Sequence, residues 1–186
     1  MRRKIYTKEQ ILRAAYEVVA TEGFAGFTAR NIAKRMGIST QPIYLEFKNM
    51  EDLKNELLDL IFSKLKNEIF PVPHTGDKVI DLGLNYINFA KQHHNLYLAL
   101  YVDEEGGGKK MHDFSFNYFS TLIENDPQYE GLSREQIQTL HTGTWVVVTG
   151  LASLASSGSI NPTQEQIISL IQRTINNIIA VNETVN

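Results

Sequence analysis

This sequence predicts an all-α fold, on three observations. Helix-capping signatures stand directly ahead of apolar runs, apolar residues recur at three- and four-residue intervals, and no segment alternates as a strand would.

The elements follow in chain order. Thr7-Lys8-Glu9-Gln10 reads as a capping box, with Thr7 as cap, Gln10 reaching back and Tyr6 stapled onto Ile11. Ile11, Leu12, Ala15, Val18 and Val19 then share one helical face, and Gly23 ends the helix. A short helix is expected from about Thr28 to Met36, stopped by Gly37, and another of about two turns after Ser39. A longer helix starts near Asn49, where Glu51 and Asp52 favour the positive end of its dipole, and its stripe is Leu53, Leu57, Leu60, Ile61 and Leu65. Pro71-Val72-Pro73 closes this first unit, residues 1–70.

The second unit, residues 71–186, begins its helices near Asp77. One carries Leu82, Tyr86, Phe89 and Ala90; a short one carries Leu96, Tyr97, Leu100 and Tyr101. Asp103 through Gly108 is a polar, glycine-rich break, followed by an aromatic helix with Phe114, Phe116, Tyr118, Phe119, Leu122 and Ile123. Two more capping boxes, Ser133 to Gln136 and Thr163 to Gln166, open the last two helices. Both helices are apolar over more than one face, so a partner is expected to cover the second face.

Composition excludes several classes. There is no cysteine, so disulfides and thiolate metal sites are impossible, which fits a cytoplasmic chain. The basic N-terminus has no apolar run behind it and does not read as a secretory signal. The longest stretch without Asp, Glu, Lys or Arg, Gln136 to Gln164, is too rich in Ser, Thr, Gly and Asn for a membrane span. The net charge of −3 is unevenly distributed: residues 1–48 hold nine Lys/Arg and four Asp/Glu, whereas the remainder holds nine and seventeen. A basic head on an acidic body points to phosphate contact by the head alone.

Residues 28–47 carry the functional signal. Two short helices crossing steeply need a small residue where they touch and a freely bending one in the turn; Ala33 and Gly37 stand four apart. Ile32, Met36, Ile38 and Ile43 plug the angle, leaving Arg30, Lys34, Arg35, Thr40, Gln41 and Tyr44 outward. Ser39 is expected to cap a second helix that opens Thr40-Gln41-Pro42, where proline is tolerated in the first turn. In a major groove, Gln41 pairs with adenine edges and the Thr40 methyl and Pro42 ring pack on thymine methyls. Thr28, Tyr44 and Lys48 sit where they would hold phosphates.

The run Thr7, Ile11-Leu12, Ala14-Ala15, Gly23-Phe24, Phe27-Thr28, Arg30, Ile32-Ala33-Lys34, Gly37-Ile38-Ser39, Ile43-Tyr44, Phe47, Asn49 and Leu53 resembles the DNA-binding domain of tetracycline-repressor (TetR) regulators. That resemblance implies a homeodomain-like helix-turn-helix domain followed by a helical ligand-binding and dimerisation domain. It also implies an omega-shaped homodimer that holds a palindromic operator on double-stranded DNA and releases it when a small-molecule effector enters the second domain. Two positions depart from the pattern: Glu46 stands where the family commonly has His, and Met50 where it commonly has Lys. Both remove potential phosphate contacts, which keeps a second reading open, a helical adaptor of the same fold that has lost DNA binding.

The C-terminal part is less informative. Trp145 to Leu151 is similar to a Trp-x-x-x-His-Gly pattern in some of these regulators, with Thr149 in place of His and Gly150 expected to allow close helix approach between protomers. Tyr86, Phe89, Tyr97, Tyr101, Phe114, Tyr118 and Trp145 are candidate linings of an effector cavity, with Asn85, His93 and His141 as polar contacts. No cofactor, no metal and no enzymatic activity are expected. His93-His94 point to different helix faces, Asp103-Glu104-Glu105 adjoins flexible glycine, and Gly106-Gly107-Gly108-Lys109-Lys110 lacks the first glycine and the Ser/Thr of a phosphate loop.

Overall fold

The computed structural model describes residues 6–104, 106–124 and 126–183, with side chains as far as Ala180. Arg2, Arg3, Lys4 and Glu105, which figure in the sequence reading, lie outside the described residues. Among the described residues the chain is helical throughout: α1 Lys8–Glu22, α2 Ala29–Met36, α3 Gln41–Glu46, α4 Met50–Lys64, α5 Lys78–Gln92, α6 His94–Tyr101, α7 Gly108–Ile123, α8 Arg134–Ser156 and α9 Gln164–Glu183. By packing, residues 1–64 with 95–108 form one compact unit, and residues 65–94 with 109–186 form another.

In the first unit the capping box at Thr7 forms as expected: the Gln10 amide donates to Thr7 Oγ1 at 3.4 Å and the Thr7 amide to Gln10 Oε1 at 3.1 Å. The helix so started buries Ile11, Ala14, Ala15, Val18 and Val19 against α2 and α4. Ile11, Val18 and Val19 each contribute roughly 1.5–3 kcal/mol when fully buried, and the alanine methyls less. Asn49 caps α4 by accepting from the Asp52 amide at 2.8 Å, and Asp52 reaches back to the Lys48 amide at 3.0 Å. Lys8 pairs with Glu56 and lies over the Phe47 ring, fastening α1 to α4 beside the end of α3.

The buried arc of α4 is wider than the expected stripe. It includes Leu58 and Phe62 together with Leu53, Leu57, Ile61 and Leu65, while Leu60 is 42% exposed. At about 100° per residue that arc covers half the helix circumference, and Leu60 falls just beyond its edge.

In the second unit α5, α8 and α9 pack together. Glycine permits the closest approach: a Cβ at Gly83 would meet Ile171 Cδ1 at 2.7 Å, and one at Gly143 would meet Ile178 Cδ1 at 2.5 Å. Capping boxes at Ser133 and Thr163 form as expected. Asp77 caps α5 by accepting from the Val79 and Ile80 amides. The α4 helix is prolonged by a π-helical turn, Leu65–Ile69, and the 70–77 loop after it is tied to α5 by two buried polar side chains. The Asn85 amide donates to the carbonyls of Phe70 at 3.0 Å and Val72 at 2.7 Å, and its oxygen meets His74 Nε2 at 2.7 Å. Asp81 accepts from the Thr75 amide and hydroxyl, both at 2.7 Å, and from the Gly76 amide. Burial opposes the Asp81 charge, yet these bonds hold its carboxyl below the ordinary range.

Replacing Asn85 by alanine leaves two carbonyls without donors, and a lost partner of a buried polar group costs roughly 1–3 kcal/mol. We expect Asn85→Ala to lower stability by about 2 kcal/mol, read as a lower urea midpoint at unchanged slope.

Candidate nucleic-acid interface

The site begins at the end of α2. Gly37 adopts φ 67° and ψ 37°, the left-handed region. Its amide donates to the Lys34 carbonyl at 3.1 Å and the following Ile38 amide to the Ala33 carbonyl at 3.0 Å, which closes α2 and turns the chain sharply. At the other end, Thr28 caps α2 by accepting from the Asn31 amide at 3.1 Å, and the Asn31 side chain holds the Gly26 carbonyl.

The elbow is packed from inside. Ile32, Ala33, Ile43 and Phe47 are each at most 3% exposed, while Met36 and Ile38 are half-buried at the angle. With Ile43 and Phe47 fixed inward, helical spacing places Gln41, Tyr44 and Leu45 away from the core, and Lys48 follows just after the helix. All four are exposed, Tyr44 by 53% and Leu45 by 71%. Thr28, Arg30, Ser39 and Thr40 are also exposed, and Pro42 is half-buried in the first turn of α3. Leu45 was not singled out by the sequence reading, although its four-residue spacing from Gln41 was the available signal.

One detail differs from expectation. The helix starts at Gln41 with Thr40 as the flanking residue, and no side chain caps it. Had Ser39 been the cap, the third helical residue whose amide it seeks would be Pro42, which has no N–H.

The charges sort themselves by partner. Arg35 faces back to α1, with its guanidinium near Glu17 at 3.6 Å and Glu22 at 3.8 Å and donating to Thr21 Oγ1 at 3.3 Å. Lys8 and Arg13 are also paired, with Glu56 and Glu17. Arg30, Lys34 and Lys48 have no acidic partner among the described residues. These three are all exposed and grouped around α2 and α3, and among the described residues of the head they are cations available to an anionic ligand. Glu46 is exposed at the end of α3, and Met50 lines a small cleft with Phe24 and Phe27.

In the second unit, the aromatic candidates fall into separate groups. Tyr86 meets the Thr149 hydroxyl at 3.1 Å, so the residue standing in for His has a partner. Phe89 packs on His93, whose imidazole edge is exposed. Phe114 and Tyr118 are stacked 6.2 Å apart and line an open cleft. Trp145 packs on His141 at 5.4 Å. Tyr97 and Tyr101 stack on each other in the first unit. Asn85, expected to meet a ligand, is instead engaged by the 70–74 backbone and His74, because its amide is the nearest donor for those carbonyls. Beside Gly150 there is open space within the chain, whose own close helix approaches include those at Gly83 and Gly143.

His141 is 2% exposed among Phe116, Phe119, His112 and Trp145. Its Nε2 meets Ser115 Oγ at 2.9 Å, and its Nδ1 has no hydrogen-bond partner. Burial, and then the His112 charge, push its pKa down to about 4. Among the described residues no group of three or more His, Asp or Glu is placed to hold a metal ion, and no helix is long and apolar enough to cross a membrane.

This geometry defines a helix-turn-helix unit of the kind that lays its second helix along DNA, joined in one chain to a helical bundle. Residues 11–57 match the family described as bacterial regulatory proteins, tetR family, and about nine-tenths of the chain shares the fold of solved TetR-family regulators. A transcriptional regulator of the TetR family from Vibrio parahaemolyticus is similar with a TM-score of 0.66 at 18% identity, over 91% of this chain and 96% of that one. The regulator FadR from Bacillus subtilis, solved in complex with stearoyl-CoA, is similar with a TM-score of 0.60 at 18% identity, over 92% and 97%. SmeT, the repressor of the Stenotrophomonas maltophilia multidrug efflux pump SmeDEF, gives 0.61 at 16% identity, over 95% and 90%.

Two outcomes follow from these environments. Gly37→Ala forces a Cβ into the left-handed region and is expected to cost about 1–2 kcal/mol, seen as a lower thermal midpoint. For His141, the folded pKa of about 4 lies below the ordinary 6.5, so in that window the unfolded chain binds a proton that the folded chain refuses. Stability is full above the upper value and falls as pH drops toward the lower, by up to about 1.4 kcal/mol per pH unit. Urea titrations at neutral pH and near pH 5 should show that loss in the native chain and a smaller one in His141→Phe.

Proposed function

We propose that this chain is a cytoplasmic, non-enzymatic transcriptional repressor that binds a palindromic operator as a homodimer. Residues 1–70 serve as the DNA-binding domain and residues 71–186 as the effector-binding and dimerisation domain. The observation that carries this reading is the outward face of α3, held by a buried elbow and flanked by cations with no acidic partner among the described residues.

In this reading the N-terminal part of α3 enters the major groove. Gln41 reads a base edge, and Thr40 and Pro42 present apolar surface to thymine methyls. Thr28, Arg30, Ser39, Tyr44 and Lys48 border the groove and fix register through phosphates. The Thr28 oxygen already accepts from the Asn31 amide, so its hydroxyl hydrogen is left to donate.

A single short helix reads few base pairs, so useful selectivity needs two heads about one turn of DNA apart. The last two helices supply the symmetric contact. Val146 is 66% exposed and Leu154 and Leu170 are also exposed, while the surface beside Gly150 is open. An apolar face of this kind on α8 and α9 suits burial against its own copy. A small-molecule effector in the second domain then favours an arrangement of the dimer that no longer fits both half-sites. FadR, solved with stearoyl-CoA, shows that a protein of this fold takes a ligand, and SmeT is itself a repressor.

One observation favours a second reading. Leu45 is among the most exposed apolar residues and Glu46 adjoins it, which suits a protein-binding surface on an adaptor that has lost DNA binding.

Selection of bound duplexes from a random pool separates the two. A recovered near-palindrome with salt-dependent affinity supports the repressor, whereas no duplex bound even in dilute salt supports the adaptor. On the selected site, Gln41→Ala is expected to cost about 1–3 kcal/mol and to relax preference at one position per half-site. Equal weakening on every sequence would remove Gln41 from base reading.

A further inference from the structure

We propose that a cleft lined by Lys66, Lys78 and one side of α7 binds an amphipathic organic anion, a carboxylate head on an apolar tail. The role of that ligand as effector rests on the regulatory reading above, whereas the binding chemistry rests on the cleft alone.

The cleft has a volume of about 440 Å³ and lies wholly within the second unit. That is the size of a small-molecule site. Its wall is built by helical periodicity. Phe114, Tyr118 and Leu122 recur every four residues on α7, so they form one stripe, with Asn117 beside it. All three apolar residues are half-buried, and Tyr118 also packs on Phe70 at 5.5 Å. The adjoining stripe of α7, about 100° round the helix, is occupied: Met111, Phe119 and Ile123 are each 2% exposed in the core. The helix therefore carries two apolar faces, one packed and one lining an open cleft.

The rim supplies the charge. Lys66 sits on the π-helical turn after α4, is exposed, and has no acidic partner among the described residues. Such turns recur at functional sites because they displace side chains from the regular helical track. Lys78, at the start of α5, is paired with Asp126 at 3.5 Å, and the Asn117 amide adds hydrogen-bond donors. The lining contains two cations and no carboxylate, in a unit where Asp and Glu outnumber Lys and Arg. Other clefts differ. One in the first unit is lined by Glu22 and Asp103 and one along α8 and α9 by Glu135, neither with a Lys or Arg in its lining. An apolar tail along the α7 stripe removes water from aromatic and aliphatic surface, while the head meets Lys66 at the rim.

The test is calorimetric titration of the full chain with sodium dodecanoate, dodecan-1-ol and dodecyltrimethylammonium, each below its micellar concentration. Dodecanoate is expected to bind at least about tenfold more tightly than the alcohol, with the cation weakest. Lys66→Glu should weaken dodecanoate about tenfold or more and leave the alcohol unchanged, and Lys66→Arg should retain binding. Failure of dodecanoate to bind, equal binding of the alcohol, or indifference to Lys66→Glu with an unaltered helical spectrum overturns the site. Duplex affinity measured in the same samples tests the regulatory role separately. Dodecanoate held through Lys66 with duplex affinity unchanged overturns the effector role and supports the site, and a chain that binds dodecanoate but no duplex overturns only the DNA reading.

Discussion

The left-handed turn at Gly37 is the constraint on which the candidate interface depends. Two short helices are marginal by themselves, so their angle must be set by backbone geometry and contact. The amides of Gly37 and Ile38 close α2, and Ala33 lets the second helix come near. Ile43 and Phe47 then have one buried side available, which fixes the rotation of α3 about its own axis. Which residues face solvent is a consequence of that rotation. Gln41, Tyr44 and Leu45 are outward because Ile43 and Phe47 are inward.

Charge is distributed on the same principle. The first 48 residues hold an excess of cations, but three of those described are neutralised in place: Lys8 on Glu56, Arg13 on Glu17, and Arg35 between Glu17 and Glu22. These pairs are partly exposed, so each adds little stability. Their effect is on the field: among the described residues of the head they leave Arg30, Lys34 and Lys48 without an acidic partner, gathered around α2 and α3. The second unit repeats the pattern on a smaller scale, with Lys78 paired and Lys66, which has no acidic partner among the described residues, lining an aromatic cleft.

Polar residues inside the second unit serve packing more than recognition. Asn85 was a candidate for ligand contact, and Asp81 is the other buried polar side chain of α5. Each instead satisfies backbone groups of the 70–77 loop, where an unpaired amide or carbonyl is costly. His141 is held neutral in an aromatic setting, with one ring nitrogen bonded to Ser115. The fold of this unit is shared with regulators at under one-fifth identity, which fits a scaffold defined by helix packing and filled with different side chains.

The order and nature of the helices were legible from the sequence because capping boxes, glycine stops and apolar periodicity are local signals. Thr7, Ser133 and Thr163 cap as their spacing requires, and Gly23 and Gly37 end the helices before them. The elbow was legible for the same reason, since Ala33, Gly37, Ile43 and Tyr44 lie within twelve residues. Contacts between distant segments were not legible. Nothing local distinguishes the paired Arg35 from the unpaired Lys34, excludes Leu60 from a buried arc set by neighbouring helices, or assigns Asn85 to the 70–74 backbone. Nor does it bring Lys66 to a cleft with Phe114 and Tyr118. Periodicity determines which residues share a face; only tertiary packing decides what that face meets, because the partner lies far along the chain.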